Sequence, residues 1–130
     1  MLAAVLESER LLIRPFQLGD EQAIYALNSN PIVQKYTGDT LVKSVEQARD
    51  ILQNIVLKDY KKYGYGRLAV LYKPENKLIG FTGIKYLPEM GGESDLGYRF
   101  LPDYWGQGIA TETSKMSLKF AFEKLKLKRI

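Results

Sequence analysis

No cysteine and no histidine occur in the 130 residues of this chain. Their absence removes the Ser-His pair, the acyl-cysteine and a zinc site built from the usual ligands, so neither a covalent enzyme intermediate nor a metal-activated water is expected. Disulfides and thiol chemistry go with them. No apolar run approaches the about 20 residues that a membrane-spanning helix needs. The stretch from Met1 to Leu6 is too short for a signal-peptide core and runs straight into Glu7 and Glu9. A cytoplasmic protein with no membrane partner is the expectation. The common nucleotide motifs are missing as well. There is no G-x-x-x-x-G-K-[ST] run, and Gly106-Gln107-Gly108-Ile109-Ala110-Thr111 lacks the third glycine of the dinucleotide fingerprint.

What is present suits one soluble globular domain over residues 1–130, with 45% apolar and 26% charged residues. The net charge is +4. Its basic residues are scattered among acids except toward the end, where Lys124, Lys126, Lys128 and Arg129 crowd together. A solvated helix end explains that cluster, and no base-stacking or groove motif accompanies it, so no nucleic-acid partner is expected.

The periodicities give an order of elements. Leu11 to Arg14 reads as a strand stopped by Pro15. Asp20 is placed to cap a helix over Glu21 to Asn28 that lays Ala23, Ile24 and Leu27 on one face. A short helix from Pro31 to Tyr36 is expected next. Ser44-Val45-Glu46-Gln47 is a capping box, and the helix it opens should bury Ala48, Ile51, Leu52 and Ile55. Arg67 to Tyr72 and Lys77 to Leu87 read as a hairpin around the turn Lys73-Pro74-Glu75-Asn76. Gly80 and Gly83 thin the side-chain cover there, which invites close approach of a ligand or a packed helix.

The stretch that carries chemistry begins at Asp95. Asp95 to Leu101 alternates as a strand, with Leu96, Tyr98 and Phe100 on one face and Asp95, Gly97 and Arg99 on the other. Pro102 ends it. Trp105-Gly106-Gln107-Gly108 then turns sharply into a helical pattern with Ile109, Thr113, Met116 and Phe120 at spacings of three and four. The amide groups at such a helix start, with the positive end of the helix dipole, make a site for a phosphate. Two bare glycines serve a plain strand-to-helix turn equally well.

Three ordered segments set these residues in a wider pattern: Ser8-Glu9-Arg10-Leu11-Leu12-Ile13-Arg14-Pro15, Asp95-Leu96-Gly97-Tyr98, and Pro102-Asp103-Tyr104-Trp105-Gly106-Gln107-Gly108-Ile109-Ala110-Thr111-Glu112. Together they resemble the GNAT acetyltransferases, in particular the branch of ribosomal-protein N-terminal acetyltransferases. The resemblance implies an α+β fold, a mixed and mostly antiparallel sheet flanked by helices. It also implies acetyl-CoA as acetyl donor. Amides of Gln107, Gly108, Ile109, Ala110 and Thr111 would take the pyrophosphate, and the backbone of Tyr98, Arg99 and Phe100 would pair with the pantetheine arm and polarise the thioester carbonyl. Trp105 stands where the family usually has Gln or Arg; a packing anchor under the loop is its expected role. Glu112 is expected to be structural and to point away from the phosphate. Tyr36-Thr37-Gly38 would line the acceptor pocket.

With no residue for a covalent intermediate, direct attack by an acceptor amine on the thioester is left. An α-amino group, with a pKa of about 7.7–8.0, needs less help to lose its proton than a lysine near about 10.4. The acceptor is therefore expected to be a primary amine, a protein N-terminus or a small molecule. Asp95 occupies the position just before Leu-Gly-Tyr where this branch usually carries Glu, so the resemblance implies a catalytic base acting through water; Glu93 is its rival. A GNAT-like module that binds coenzyme A without transferring acetyl is the alternative. Family members continue through further strands where this sequence stops. The corresponding expectation is a partial domain lacking its C-terminal strands. A second apolar stripe at Leu118, Phe122 and Leu125 would then be completed by another copy in a homodimer.

Overall fold

Five strands that pair in sequence order form the frame, each antiparallel to its neighbour: β1 (Leu6–Glu7), β2 (Leu11–Pro15), β3 (Arg67–Tyr72), β4 (Lys77–Leu87) and β5 (Glu93–Phe100). The coordinates are a computed structural model that describes residues 6–32, 43–63, 66–87 and 93–123, with the backbone alone for residues 63, 83–87, 93–97 and 121–123. Helices α1 (Glu21–Asn28), α2 (Val45–Ile51) and α3 (Leu57–Tyr63) and the 15-residue α4 (Ile109–Glu123) complete the described architecture, which is α+β. No helix among the described residues is long and apolar enough to cross a membrane.

Strand alternation sorts the side chains into two cores. Leu68, Val70, Ile79 and Phe100 turn to one face with Ile109 and Phe120 of α4. Ala69 turns to the other with Ile24 of α1 and Ala48, Leu52, Val56 and Tyr60 of the α2–α3 segment. Burying each large aliphatic side chain contributes about 1.5–3 kcal/mol, so both helical layers are anchored to the sheet. Tyr60 also bridges β2 and β3: its hydroxyl donates to the carbonyl of Arg67 and accepts from the amide of Phe16 at 3.0 Å.

β3, β4 and α1 have the bounds expected from the sequence. Several local devices differ. Asp20 stands before α1 but caps nothing; its carboxylate takes both terminal nitrogens of Arg14, at 2.9 and 3.0 Å, and the amide of Gln17. The capping box does form, with Ser44 Oγ accepting from the Gln47 amide at 3.1 Å, while Gln47 reaches back to the amide of Lys43 rather than that of Ser44. Between α2 and α3 the chain widens into a π-turn over Leu52–Val56, so Val56 is buried and Ile55 is 42% exposed, against expectation. In a strict α-helix, residues four apart drift by about 40° per step. The wider turn absorbs that drift and keeps Ala48, Leu52, Val56 and Tyr60 on one line.

Gly80 is required by neither ligand nor helix. A Cβ there would meet the carbonyl oxygen of Arg99 and lie 2.5 Å from a ring carbon of Phe100, so it is the neighbouring strand that fills the space. Pro31 and Ile32 are helical, but the rest of the expected short helix, with Tyr36, Thr37 and Gly38, lies outside the described residues. The same holds for the side chain of Phe122 and for Leu125.

Candidate active site

The end of β5, the turn after it and the start of α4 enclose a cavity of about 720 Å³ lined by Tyr98, Arg99, Phe100, Tyr104, Trp105, Gly106, Gly108, Ile109, Ala110 and Thr111. The chain reaches it by a tight route. Pro102–Tyr104 forms a single 3₁₀ turn, and Gly106 and Gly108 then take φ values of +78° and +77°. That left-handed backbone costs a residue with a Cβ roughly 1–2 kcal/mol, which is why both positions are glycine.

Among the described residues no side chain caps the start of helix α4. Its first turn closes with the amide of Glu112 on the carbonyl of Gly108 at 3.0 Å. The amides of Ile109, Ala110 and Thr111 precede that bond and find no protein acceptor among the described residues. Gly108, at the cap position, has no side-chain oxygen to offer them. Three donors and the positive helix end therefore face the cavity, an arrangement that suits a phosphate.

β5 contributes backbone groups of the other kind. The amide of Leu101 donates to the carbonyl of Ile79 at 2.9 Å, and Arg99 is paired with Phe81. By the alternation of an antiparallel ladder, the amide and carbonyl of Arg99 also face β4, whereas those of Tyr98 and Phe100 face the outer edge of β5, which is open among the described residues. Trp105 supports the assignment, since its indole Nε1 donates to the Phe100 carbonyl at 2.9 Å. This hydrogen bond ties the turn to the strand end. Trp105 is 41% exposed and lines the cavity, so it holds the turn to the strand as a latch at the surface.

Gln107 points elsewhere. Its carbonyl accepts from Arg10 Nη2 at 2.9 Å and its side chain donates to the Asp103 carbonyl at 3.0 Å; it does not line the cavity. Glu112 is structural, as expected. One carboxylate oxygen accepts from Ser8 Oγ at 2.6 Å and the other from Arg10 Nε at 3.0 Å, which directs its charge to the β1–β2 hairpin. These partners give Ser8 and Arg10 a role that sequence spacing did not assign. Tyr104 was missed too. Its ring is buried beside Tyr72 at 5.5 Å between centroids, and its hydroxyl donates to Glu75, which pushes its pKa up to about 12.

Asp95 sits on β5 opposite Lys85 and Glu93 opposite Leu87; their side chains lie outside the described residues. Arg99 turns to the face opposite α4, where Nη1 donates to Asn28 Oδ1 at 2.5 Å and the guanidinium stands 5.6 Å over the ring of Phe81.

Comparison with known proteins sets this geometry in a family. Residues 10–130 match the acetyltransferase (GNAT) domain. The chain is 31% identical over 126 residues to the uncharacterized N-acetyltransferase YoaA of Bacillus subtilis (strain 168), covering 97% of this chain and 71% of that protein. It is likewise 31% identical over 126 residues to the uncharacterized N-acetyltransferase p20 of Bacillus licheniformis, covering 96% and 70%. A GNAT-family acetyltransferase from Bacillus anthracis superposes with a TM-score of 0.74 at 30% identity, over 95% of this chain and 69% of that one. The spermidine N-acetyltransferase of Vibrio cholerae, solved with CoA and spermine, shares the fold at a TM-score of 0.74 and 20% identity, over 92% and 68%. The chain belongs to the GNAT family of acetyltransferases.

Proposed function

We propose that this enzyme moves an acetyl group from acetyl-CoA directly to a primary amine, either a protein N-terminus or a small molecule. The observation that carries the reading is the set of three amides at the start of α4, left without acceptors on the wall of a cavity shared with the open edge of β5. Acetyl-CoA supplies the acetyl group as a thioester, already activated toward an amine. The residues present fit it. Amides of Ile109, Ala110 and Thr111, with Gly108, would hold the diphosphate, where the helix dipole adds about 0.3–1 kcal/mol or more in a partly buried setting.

The outward amides of Tyr98 and Phe100 are donors that could hold the pantetheine arm and polarise the thioester carbonyl; Arg99 would contribute its side chain rather than its backbone. Asp95, on the same strand, would take the acceptor's proton through a bridging water. With no histidine or cysteine in the sequence, the base is sought among the carboxylates, with Glu93 as the rival of Asp95. We place the enzyme in the cytoplasm, where acetyl-CoA and amines are both at hand.

The test is thiol release from acetyl-CoA by the purified chain with pooled peptide amines, amino acids and polyamines, with the products read by mass spectrometry. Release that depends on an amine and yields an N-acetylated product is expected. Binding of coenzyme A without release in any pool would leave a binding module instead.

A further inference from the structure

Trp105 comes back to the strand that the chain left five residues earlier, with its indole Nε1 on the Phe100 carbonyl at 2.9 Å. The turn between them closes without that bond. The amides of Tyr104 and Trp105 donate to the carbonyls of Leu101 and Pro102, each at 3.0 Å, and farther on Arg10 holds the Gln107 carbonyl while the Gln107 side chain holds that of Asp103. What the indole alters is the edge of β5. β4 and β5 pair in one unbroken register, so Tyr98 and Phe100 both turn amide and carbonyl outward, where each residue has one donor and one acceptor to offer. Tyr98 presents both. Phe100 presents its amide alone, because the indole of Trp105 stands against its carbonyl.

All three residues line the one cavity, so the choice of groups left on the strand bears on whatever lies along it. Resting on the acetyl-CoA reading, we infer that Trp105 is a positioning residue for the pantetheine arm: its N–H takes the Phe100 carbonyl out of use, which leaves the Tyr98 carbonyl as the strand's acceptor on the described cavity wall and admits the arm's amides in one register. Without that N–H, an arm on this edge would either cover an unpaired carbonyl or pair with it and slip by two residues, about 7 Å along β5. The diphosphate end has no such dependence. Its amides belong to α4, and the turn that aims them is tied by other bonds.

The experiment measures by calorimetry the affinities of coenzyme A and of ADP, which has the diphosphate but no arm, for the wild-type chain and for two variants. Trp105→Phe keeps a ring and loses the N–H. Trp105→Gln loses the ring and keeps an N–H the same number of bonds from the backbone. Leaving a carbonyl unpaired under a ligand is worth about tenfold or more in affinity, so Trp105→Phe should weaken coenzyme A by about that factor with ADP held within about twofold, and Trp105→Gln should recover most of the loss. A latch that only steadies the turn predicts otherwise: Trp105→Phe would weaken ADP and coenzyme A by the same factor, and that result would overturn the inference. So would affinities that Trp105→Phe leaves unchanged, a Trp105→Gln variant no better than Trp105→Phe, or a wild-type chain that binds coenzyme A no more tightly than ADP. Because binding is read without turnover, absence of amine-dependent thiol release would count against the proposed reaction while this contrast still decides the role of Trp105.

Discussion

Arg10 and Glu112 stand 102 residues apart in sequence and 3.0 Å apart in space, and the same guanidinium also holds the carbonyl of Gln107. One side chain from the β1–β2 hairpin thereby fixes both the glycine turn and the first turn of α4. Its removal leaves the amides in place but frees the turn that aims them. Hydrogen bonds to charged groups are worth about 1.5–3 kcal/mol, with the lower end apt for a pair about a third exposed, so Arg10→Ala should raise the KM for acetyl-CoA by about tenfold. The kcat should change much less. Arg10→Lys should recover little, since a point charge cannot reach both acceptors in the geometry of a fork. Steady-state kinetics with acetyl-CoA varied would expose a wrong assignment as a fall in kcat at unchanged KM.

The glycines of the turn make a sharper case. A Cβ at Gly108 would sit 3.6 Å from Arg10 Nη2, an ordinary contact, and at Gly106 it would meet nothing within 4 Å. Space is therefore not what excludes a side chain. The positive φ is, at roughly 1–2 kcal/mol per residue. Gly106→Ala and Gly108→Ala should each lower melting temperature by a few degrees yet weaken coenzyme A binding by more than that loss implies, because the relaxed turn would misdirect the amides. Calorimetric affinities equal to wild type would show that the turn conformation is unrelated to the ligand.

Much of this was readable along the chain and some of it was not. The bounds of β3 and β4, the start of α4 and the two left-handed glycines follow from alternation, turn chemistry and helical spacing, all of which are local. Asp20 was misread because a residue suited to capping found a stronger partner in Arg14, and only the fold brings the two together. The π-turn at Leu52–Val56 was hidden because i+3 and i+4 spacings both fit an ideal helix, and only the sheet beneath decides which line is buried. Gly80 answers to a neighbour 20 residues on, and Arg10 to one far beyond any window. The glycine turn into α4 was visible in sequence; the hairpin that clamps it was not.

Thr82 on β4 and Ser117 on α4 share a hydrogen bond at 3.1 Å with both residues fully or almost fully buried. Small side chains there let the helix lie close to the sheet, but each hydroxyl depends on the other. Ser117→Ala should cost about 1–3 kcal/mol by leaving the Thr82 hydroxyl without that partner. Thr82→Val with Ser117→Ala should recover most of the loss, because two apolar groups of similar shape replace a satisfied pair. Urea unfolding of the single and double variants gives the cycle, and simple additivity would refute the coupling.

Alkaline stability carries a signature of two tyrosines. Burial pushes the Tyr60 hydroxyl up to about 12, and the hydrogen bond to Glu75 does the same for Tyr104. In the unfolded chain both lose their protons near about pH 10. The folded state therefore keeps protons that the unfolded state releases, and stability falls as pH rises through the window from about 10 to about 12. Tyr60→Phe should flatten that fall while lowering stability at neutral pH, since the amide of Phe16 and the carbonyl of Arg67 lose their partner. Denaturant midpoints that stay level across the window would remove the tyrosines from the account.

The proposed base gives the most direct test of the chemistry. Asp95→Asn keeps nearly the same shape but cannot take a proton, so kcat should drop by about 10² or more while the KM for acetyl-CoA holds. With no base, only the fraction of acceptor that is already neutral reacts, so the residual rate should climb with pH through about 7.7–8.0 for an α-amine and level off above it. Asp95→Glu, longer by one methylene, should retain activity, because a bridging water can be replaced by the extra reach. If Asp95→Asn turned over at the wild-type rate and with the same pH profile, the proton would have to leave by another path, with Glu93, two residues earlier on β5, as the next group to change.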